Sequence, residues 1–216
     1  YLARFRHQWI HINPNPDRKT MASQKPNPSD PPGKIKIAEA LKTLLREKDF
    51  NAITTADISR ISGVNEALIY RYYKDKRGLL HDVLAKYLED YVEKMELDIK
   101  GIKGAANKLR KLIWDMIYLH QQNLVFSKIL LLEVRNFRGY WDSETYQIVR
   151  QYGQTLLKLI KEGVHNGEFR DDISPSHIRQ IILGAIEHLC LPALIFDYEI
   201  SPDELTDDIC DIVFEG

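Results

Sequence analysis

In "ISGVNEALIYRYYKDKRGLL", Ile61 to Leu80, phenols and cations alternate: Tyr70, Arg71, Tyr72, Lys74 and Lys76 crowd one short stretch. Interleaved rings and cations suit a core edge, a lipid interface or a polyanion surface. Hydroxyls and ammonium groups both donate to phosphate oxygens, so this row has the chemistry of a phosphate clamp. Just before it stand residue types that can read base edges. Glu66 can accept from a cytosine amine, although its charge also repels phosphate, and Leu68 can touch a thymine methyl or simply pack. Thr54, Asn65 and Ala67 complete the candidate contact set. Catalytic chemistry is not signalled. There is no H-E-x-x-H, no G-x-S-x-G and no phosphate loop, and Gly101-x-x-Gly104 follows a helical pattern where a dinucleotide fingerprint needs a strand. No catalytic residue, metal ligand or cofactor is assigned.

The elements that must hold the clamp are helical. Ile37, Ala38, Leu41, Leu44 and Leu45 place one apolar face on a helix over Lys34 to Lys48. Thr54 precedes a second, short helix with Asp57 in its first turn, and Gly63 ends it. A third helix runs over Asn65 to Tyr73. Asp75 caps a long fourth helix, Lys76 to about Lys100, striped with Leu80, Val83, Leu84, Tyr87, Leu88, Tyr91 and Met95. Two short helices joined through a glycine turn form a helix-turn-helix unit, whose second helix can enter a major groove. Lys76 falls at a helix N-terminus, where free backbone N–H groups attract anions. Further helical segments are expected over 105–121, 123–137, 142–166, 174–197 and 202–214, giving an all-α fold of about nine helices. Six of the nine prolines lie between residues 13 and 33, so 1–33 reads as a flexible tail, with a natural beginning at Met21. The expected division is then 34–80 for the head and 81–216 for the body.

Charge follows that division. Residues 34–80 carry ten cations against six anions, a net +4, and residues 1–33 a net +3. The whole chain is −1, which leaves −8 on residues 81–216. A basic head on an acidic body suggests that the head alone meets a polyanion. Cys190 and Cys210, without ligand spacing, read as reduced core thiols. No run of about 18 consecutive apolar residues suggests a membrane span, and the expected setting is the cytoplasm.

"TTADISRISGVNEALIYRYYKDKRGLL" resembles the signature of the TetR (tetracycline-repressor-like) family of bacterial transcription regulators, through Phe50, Thr54, Asp57-Ile58, Gly63-Val64, Tyr70, Tyr73, Lys76 and Leu79-Leu80. Ser62 departs from the family's usual alanine. Leu68 departs from the small hydroxyl residue that often meets DNA. The resemblance implies a homodimeric, ligand-responsive repressor of double-stranded operator DNA. "LLLEVRN", "GEFRDDISP" and "IRQIILGAIEHL" are similar to stretches in members associated with sensing fatty acyl compounds, so the expected effector is a long-chain acyl compound, with an acyl-CoA as one candidate. A helical enzyme and a protein-binding adaptor are the alternatives.

For the body, large apolar groups suggest an apolar effector. The candidate lining is Trp114, Ile117, His120, Phe126, Leu130, Glu133, Phe137, Trp141 and Tyr152, with Arg135 and Arg138 as further polar groups able to orient a ligand. Residues 178–196 are apolar nearly all round. Ile178, Ile182, Ile186 and Leu189 are therefore the expected dimer contacts, joined by Leu205, Ile209 and Val213 into a four-helix bundle with the partner.

Overall fold

A computed structural model describes residues 30–214. Among them all regular structure is helical, in nine α-helices: α1 (Pro32–Leu45), α2 (Thr55–Ser62), α3 (Glu66–Tyr73), α4 (Lys76–Asp98), α5 (Ala105–Gln122), α6 (Leu124–Lys128), α7 (Glu144–His165), α8 (Pro175–Phe196) and α9 (Pro202–Phe214). The expected all-α fold is observed. Most of the expected tail, residues 1–29, lies outside the described residues, but its end does not behave as tail. Pro32 and Gly33 open α1, because proline suits a first helical turn. Asp30 is held by Lys86 at 2.6 Å and Lys34 at 3.4 Å, and both lysines also pair with Asp82. The hydrogen bond from Lys86 holds the Asp30 carboxyl below its usual range.

Local chemistry sets the helix ends in the head. Thr54 and Asp57 form a reciprocal capping box at the start of α2. Gly63 ends that helix at φ 66°, a left-handed conformation that costs glycine little. Asn65 accepts from Ala67 N at 2.9 Å to start α3, and Asp75 accepts from Gly78 N at 2.7 Å to start α4. Ile37, Leu41, Leu44, Phe50, Ile58, Ile69 and Leu79 bury the helical stripes together as the head's core. At the joint, a side chain on Gly78 would begin 2.0 Å from the Tyr73 carbonyl oxygen, so only glycine lets α4 start this close to the end of α3.

α4 then leaves the head and becomes a wall of the body. Its inner stripe, Leu84, Leu88, Val92 and Met95, is buried on the side where α4 packs against α7. A boundary at residue 80 therefore falls inside one continuous helix. The segment expected as a single helix over 123–137 is instead broken. After α6 come a π turn (Ile129–Glu133) and two 3₁₀ turns (Val134–Asn136 and Arg138–Asp142). The widened turn keeps Ile129, Leu130 and Val134 all on the buried side, and Phe137 turns extended before Ser143 caps α7. α8 is long and apolar enough to cross a membrane by length and composition, yet Ile178, Ile182 and Ile186 face the protein core.

Candidate functional site

α2 and α3 meet through a tightly braced turn. Ser59 Oγ donates to the Val64 carbonyl at 2.8 Å, and Val64 N donates to Ser62 Oγ at 3.2 Å. Tyr73 Oη reaches back to the Lys34 carbonyl at 3.0 Å, fixing α3 on α1. With Ile69 and Tyr73 turned inward, α3 presents Ala67, Tyr70 and Arg71 outward, flanked by Asn65 and Lys74; Tyr70 is 51% exposed. Lys74 closes α3 at φ 67°, a left-handed conformation that costs a lysine about 1 kcal/mol or more and ends the helix sharply. α3 is thus the second helix of a helix-turn-helix unit, with polar and aromatic groups on its open face.

The rest of the predicted contact set is committed within the head. Thr54 is occupied by its capping box: its hydroxyl donates to Asp57 at 3.0 Å and accepts from Asp57 N at 3.0 Å. The Thr54 backbone N–H, donating to the Asp57 carboxylate at 3.2 Å, and then the Thr54 hydroxyl hold that carboxyl down at about 2. Glu66 accepts from the hydroxyl of Thr55, a residue that sequence reasoning missed and that only the fold brings to α3. Leu68 and Tyr72 are half-buried against Gly33 at the start of α1. Lys76 is committed within the head too. Its ammonium donates to the carbonyls of Phe50 at 2.8 Å and Ile53 at 2.5 Å, and lies 4.3 Å from the centre of the Phe50 ring. Burial pushes its pKa down. Lys76 staples the start of α4 to the turn before α2, with two of its three ammonium donors spent on those carbonyls. Arg77 beside it stacks on Phe137, 4.7 Å from the ring centre, joining the head to the segment after the π turn. Asn51 Nδ2 makes a parallel link, donating to Glu133 at 3.3 Å.

In the body, a cavity of about 80 Å³ lies between α4, α5, α7, α8 and the π turn. Hydrocarbon makes most of its wall: Leu88 and Val92 from α4, Met116 and Leu119 from α5, Leu130 and Leu131 from the π turn, Ile148 and Val149 from α7, and Leu183 from α8. Its polar groups are Tyr91, His120, Arg135, Tyr152 and Glu187. Arg135 donates from both terminal nitrogens to the two carboxylate oxygens of Glu187, at 2.8 and 2.6 Å. His120 is 3% exposed, and its Nδ1 has no partner. Burial pushes its pKa down to about 4, so the ring is neutral at physiological pH. Tyr152 donates to the Leu112 carbonyl at 3.2 Å.

Of the predicted lining, the fold brings His120, Leu130 and Tyr152 together and sends the others elsewhere. Trp114 faces α9, donating to Asp203 at 2.7 Å and stacking on Tyr118. Ile117 and Phe126 are plain core, Phe126 lying under Tyr87. Glu133 and Phe137 point to the head, and Trp141 is 57% exposed beside Tyr146. The predicted dimer contacts are corrected as well. Ile178, Ile182, Ile186 and Ile209 are buried in the chain's own core, and Leu205 and Val213 pack against it. The open apolar face of α8 is the neighbouring stripe, Ile181, Leu189, Ile195 and Phe196, with Ile212 exposed on α9; of the expected contacts, only Leu189 is exposed.

Comparison with known proteins agrees with this architecture. Residues 37–83 match the model of bacterial regulatory proteins of the tetR family, and residues 84–216 that of the YsiA-like protein C-terminal region. The fatty acid metabolism regulator protein of Bacillus subtilis is 23% identical over 185 residues, covering 86% of this chain and 95% of that protein. The nucleoid occlusion factor SlmA of Cronobacter sakazakii is 29% identical over 135 residues, 59% of this chain and 68% of that protein. The crystal structure of FadR from Bacillus subtilis in complex with stearoyl-CoA has a TM-score of 0.75 at 22% identity, covering 84% of this chain and 98% of that one. FadR from Bacillus halodurans also has a TM-score of 0.75, at 18% identity over 89% and 98% of the two chains. A helix-turn-helix head, a helical body with an apolar cavity and family matches along both parts lead to one conclusion: the chain belongs to the TetR family of bacterial transcription regulators, a family of regulators and not of enzymes, and is a ligand-responsive DNA-binding regulator.

Proposed function

We propose that the protein is a homodimeric repressor, acting in the cytoplasm on chromosomal operator DNA, and that an acyl-type effector in the body cavity releases it. The observation that carries this reading is the double role of α4. One end is stapled to the reading head through Lys76, and the middle walls the cavity with Leu88, Tyr91 and Val92. The cavity's 80 Å³ is far below the roughly 300–1,000 Å³ of ordinary ligand sites, so an effector must part its walls to enter. Parting them displaces α4 and the π-turn segment, and both lead to the head. An effector that binds the parted state better shifts the population toward it; equal affinity for both states shifts nothing.

The apolar lining supports an acyl chain over a sugar or an ion. So does the likeness to a fatty acid metabolism regulator and to a fold solved with stearoyl-CoA. Two reading heads are needed because a single helix-turn-helix makes few contacts, and the exposed stripe of α8 supplies an apolar face on which two copies can join. The test is a thermal-shift panel of fatty acids, acyl-CoAs, planar aromatics and cationic drugs, with each hit retested for release of the DNA upstream of the protein's own gene. Acyl compounds should both stabilise the protein and free the DNA. If another class does both and acyl compounds do neither, the acyl reading is wrong.

A further inference from the structure

The polar end of the cavity is neutral before any ligand arrives. Among the described residues of the lining, Arg135 is the one cationic side chain, and both oxygens of Glu187 already hold it. Two polar atoms of the lining are buried without a partner, His120 Nδ1 and Tyr91 Oη, and the histidine can either donate or accept. A carboxylate head entering here meets Glu187 and must displace it from Arg135. With the pair about one-third exposed and the rest of the wall hydrocarbon, that like-charge contact is only partly screened. An uncharged carbonyl or hydroxyl meets no such opposition. In one tautomer His120 Nδ1–H donates to a carbonyl, and in the other Nδ1 accepts from a hydroxyl. Either contact satisfies an atom that is otherwise buried without a hydrogen bond, which a bare hydrocarbon cannot do.

We propose that the Arg135–Glu187 pair is a charge filter: with His120 as the hydrogen-bonding group, it admits acyl chains carrying an uncharged ester, thioester or hydroxyl function and rejects free carboxylates. The pair sits where such a filter needs to be. Arg135 follows the π turn and Glu187 lies on α8, so two separate elements hold the ion pair at the cavity wall. Its side chains are 31% and 33% exposed, placing it at the cavity's solvent side and not in the deep core. This inference rests on the acyl reading proposed above and adds which head group is accepted.

The test is calorimetric titration of the full chain with methyl decanoate and with decanoate, matched in chain length, at neutral pH. The ester should bind at least about tenfold more tightly, a modest effect for a close like-charge contact. Glu187→Gln leaves the guanidinium without its carboxylate and should narrow or reverse the preference by strengthening decanoate binding. The double variant Arg135→Gln/Glu187→Gln removes both charges and should lose that gain while keeping the ester; circular dichroism confirms that each variant is folded. Equal binding of the two probes to the wild type overturns the filter, as does an ester preference that Glu187→Gln leaves unchanged. If neither probe binds while a non-acyl compound does, the acyl reading fails and the filter with it.

Discussion

Replacing Lys76 with methionine keeps the aliphatic stem over Phe50 and removes the ammonium. Two hydrogen bonds to carbonyls disappear, those to Phe50 and Ile53. Bonds to a charged donor contribute about 1.5–3 kcal/mol each. Water can reach part of this site, so about half of the combined value is the reasonable expectation, roughly 2 kcal/mol. In a chain of this size that lowers the melting temperature by about 4–8 °C. A phosphate clamp predicts something different. Removing a phosphate-contacting cation changes the slope of log affinity against log salt by about 0.9 and leaves folding alone. Arg71→Ala and Lys74→Ala, on the open face and edge of α3, should behave that way. The assay is thermal unfolding of the three variants, paired with DNA titrations across a salt series. If Lys76→Met melts within a degree of wild type and flattens the salt slope by about one phosphate, the staple is wrong and Lys76 belongs to the clamp.

Gly78→Ala should destabilise the head by about 2–3 kcal/mol despite alanine's better helix propensity, because the new Cβ meets the Tyr73 backbone oxygen; an unchanged denaturation midpoint would count against that packing. Buried His120 stays neutral down to about pH 4, whereas the unfolded ring takes a proton near 6.5. Its contribution is therefore complete above pH 6.5 and declines as pH falls toward 4, by about 3 kcal/mol at most, and His120→Phe should flatten the urea-stability profile across that window. A variant whose profile runs parallel to wild type there would show that the ring titrates normally. Leu189→Arg should give a folded monomer in sedimentation, while Ile182→Ala should leave association intact and cost about 2–5 kcal/mol of stability. Dissociation by the Ile182 variant alone would return the interface to the stripe read from sequence.

The head was largely legible because its signals are local. Thr54 with Asp57, Gly63, Asn65 and Asp75 each mark a helix end within three or four residues, and the folded chain uses each one as a cap or a turn. The fate of Lys76 was not local. Its charge shows in the sequence, but the carbonyls beneath it belong to residues more than twenty positions earlier. The cavity was read in part for a similar reason. Bulk identified Trp114 and Trp141 as candidates, yet which way a side chain points depends on how each helix is rotated against its neighbours. On α8, where apolar residues run nearly all round, composition could not choose between the stripe of Ile182 and the stripe of Leu189. The packing of α5, α6 and α7 chose.

The π turn at Ile129–Glu133 has an evolutionary consequence. A helix that gains one residue without moving its ends must either rotate everything downstream by about 100° or absorb the extra residue in a wider turn. This segment has the form of the second outcome. Deleting a single residue between 129 and 133 would let the turn close to ordinary helical winding. Glu133, Arg135 and Phe137, which reach Asn51, Glu187 and Arg77, would then keep their directions. Regulators that differ by one residue in this stretch can thus share the same wiring of body and head.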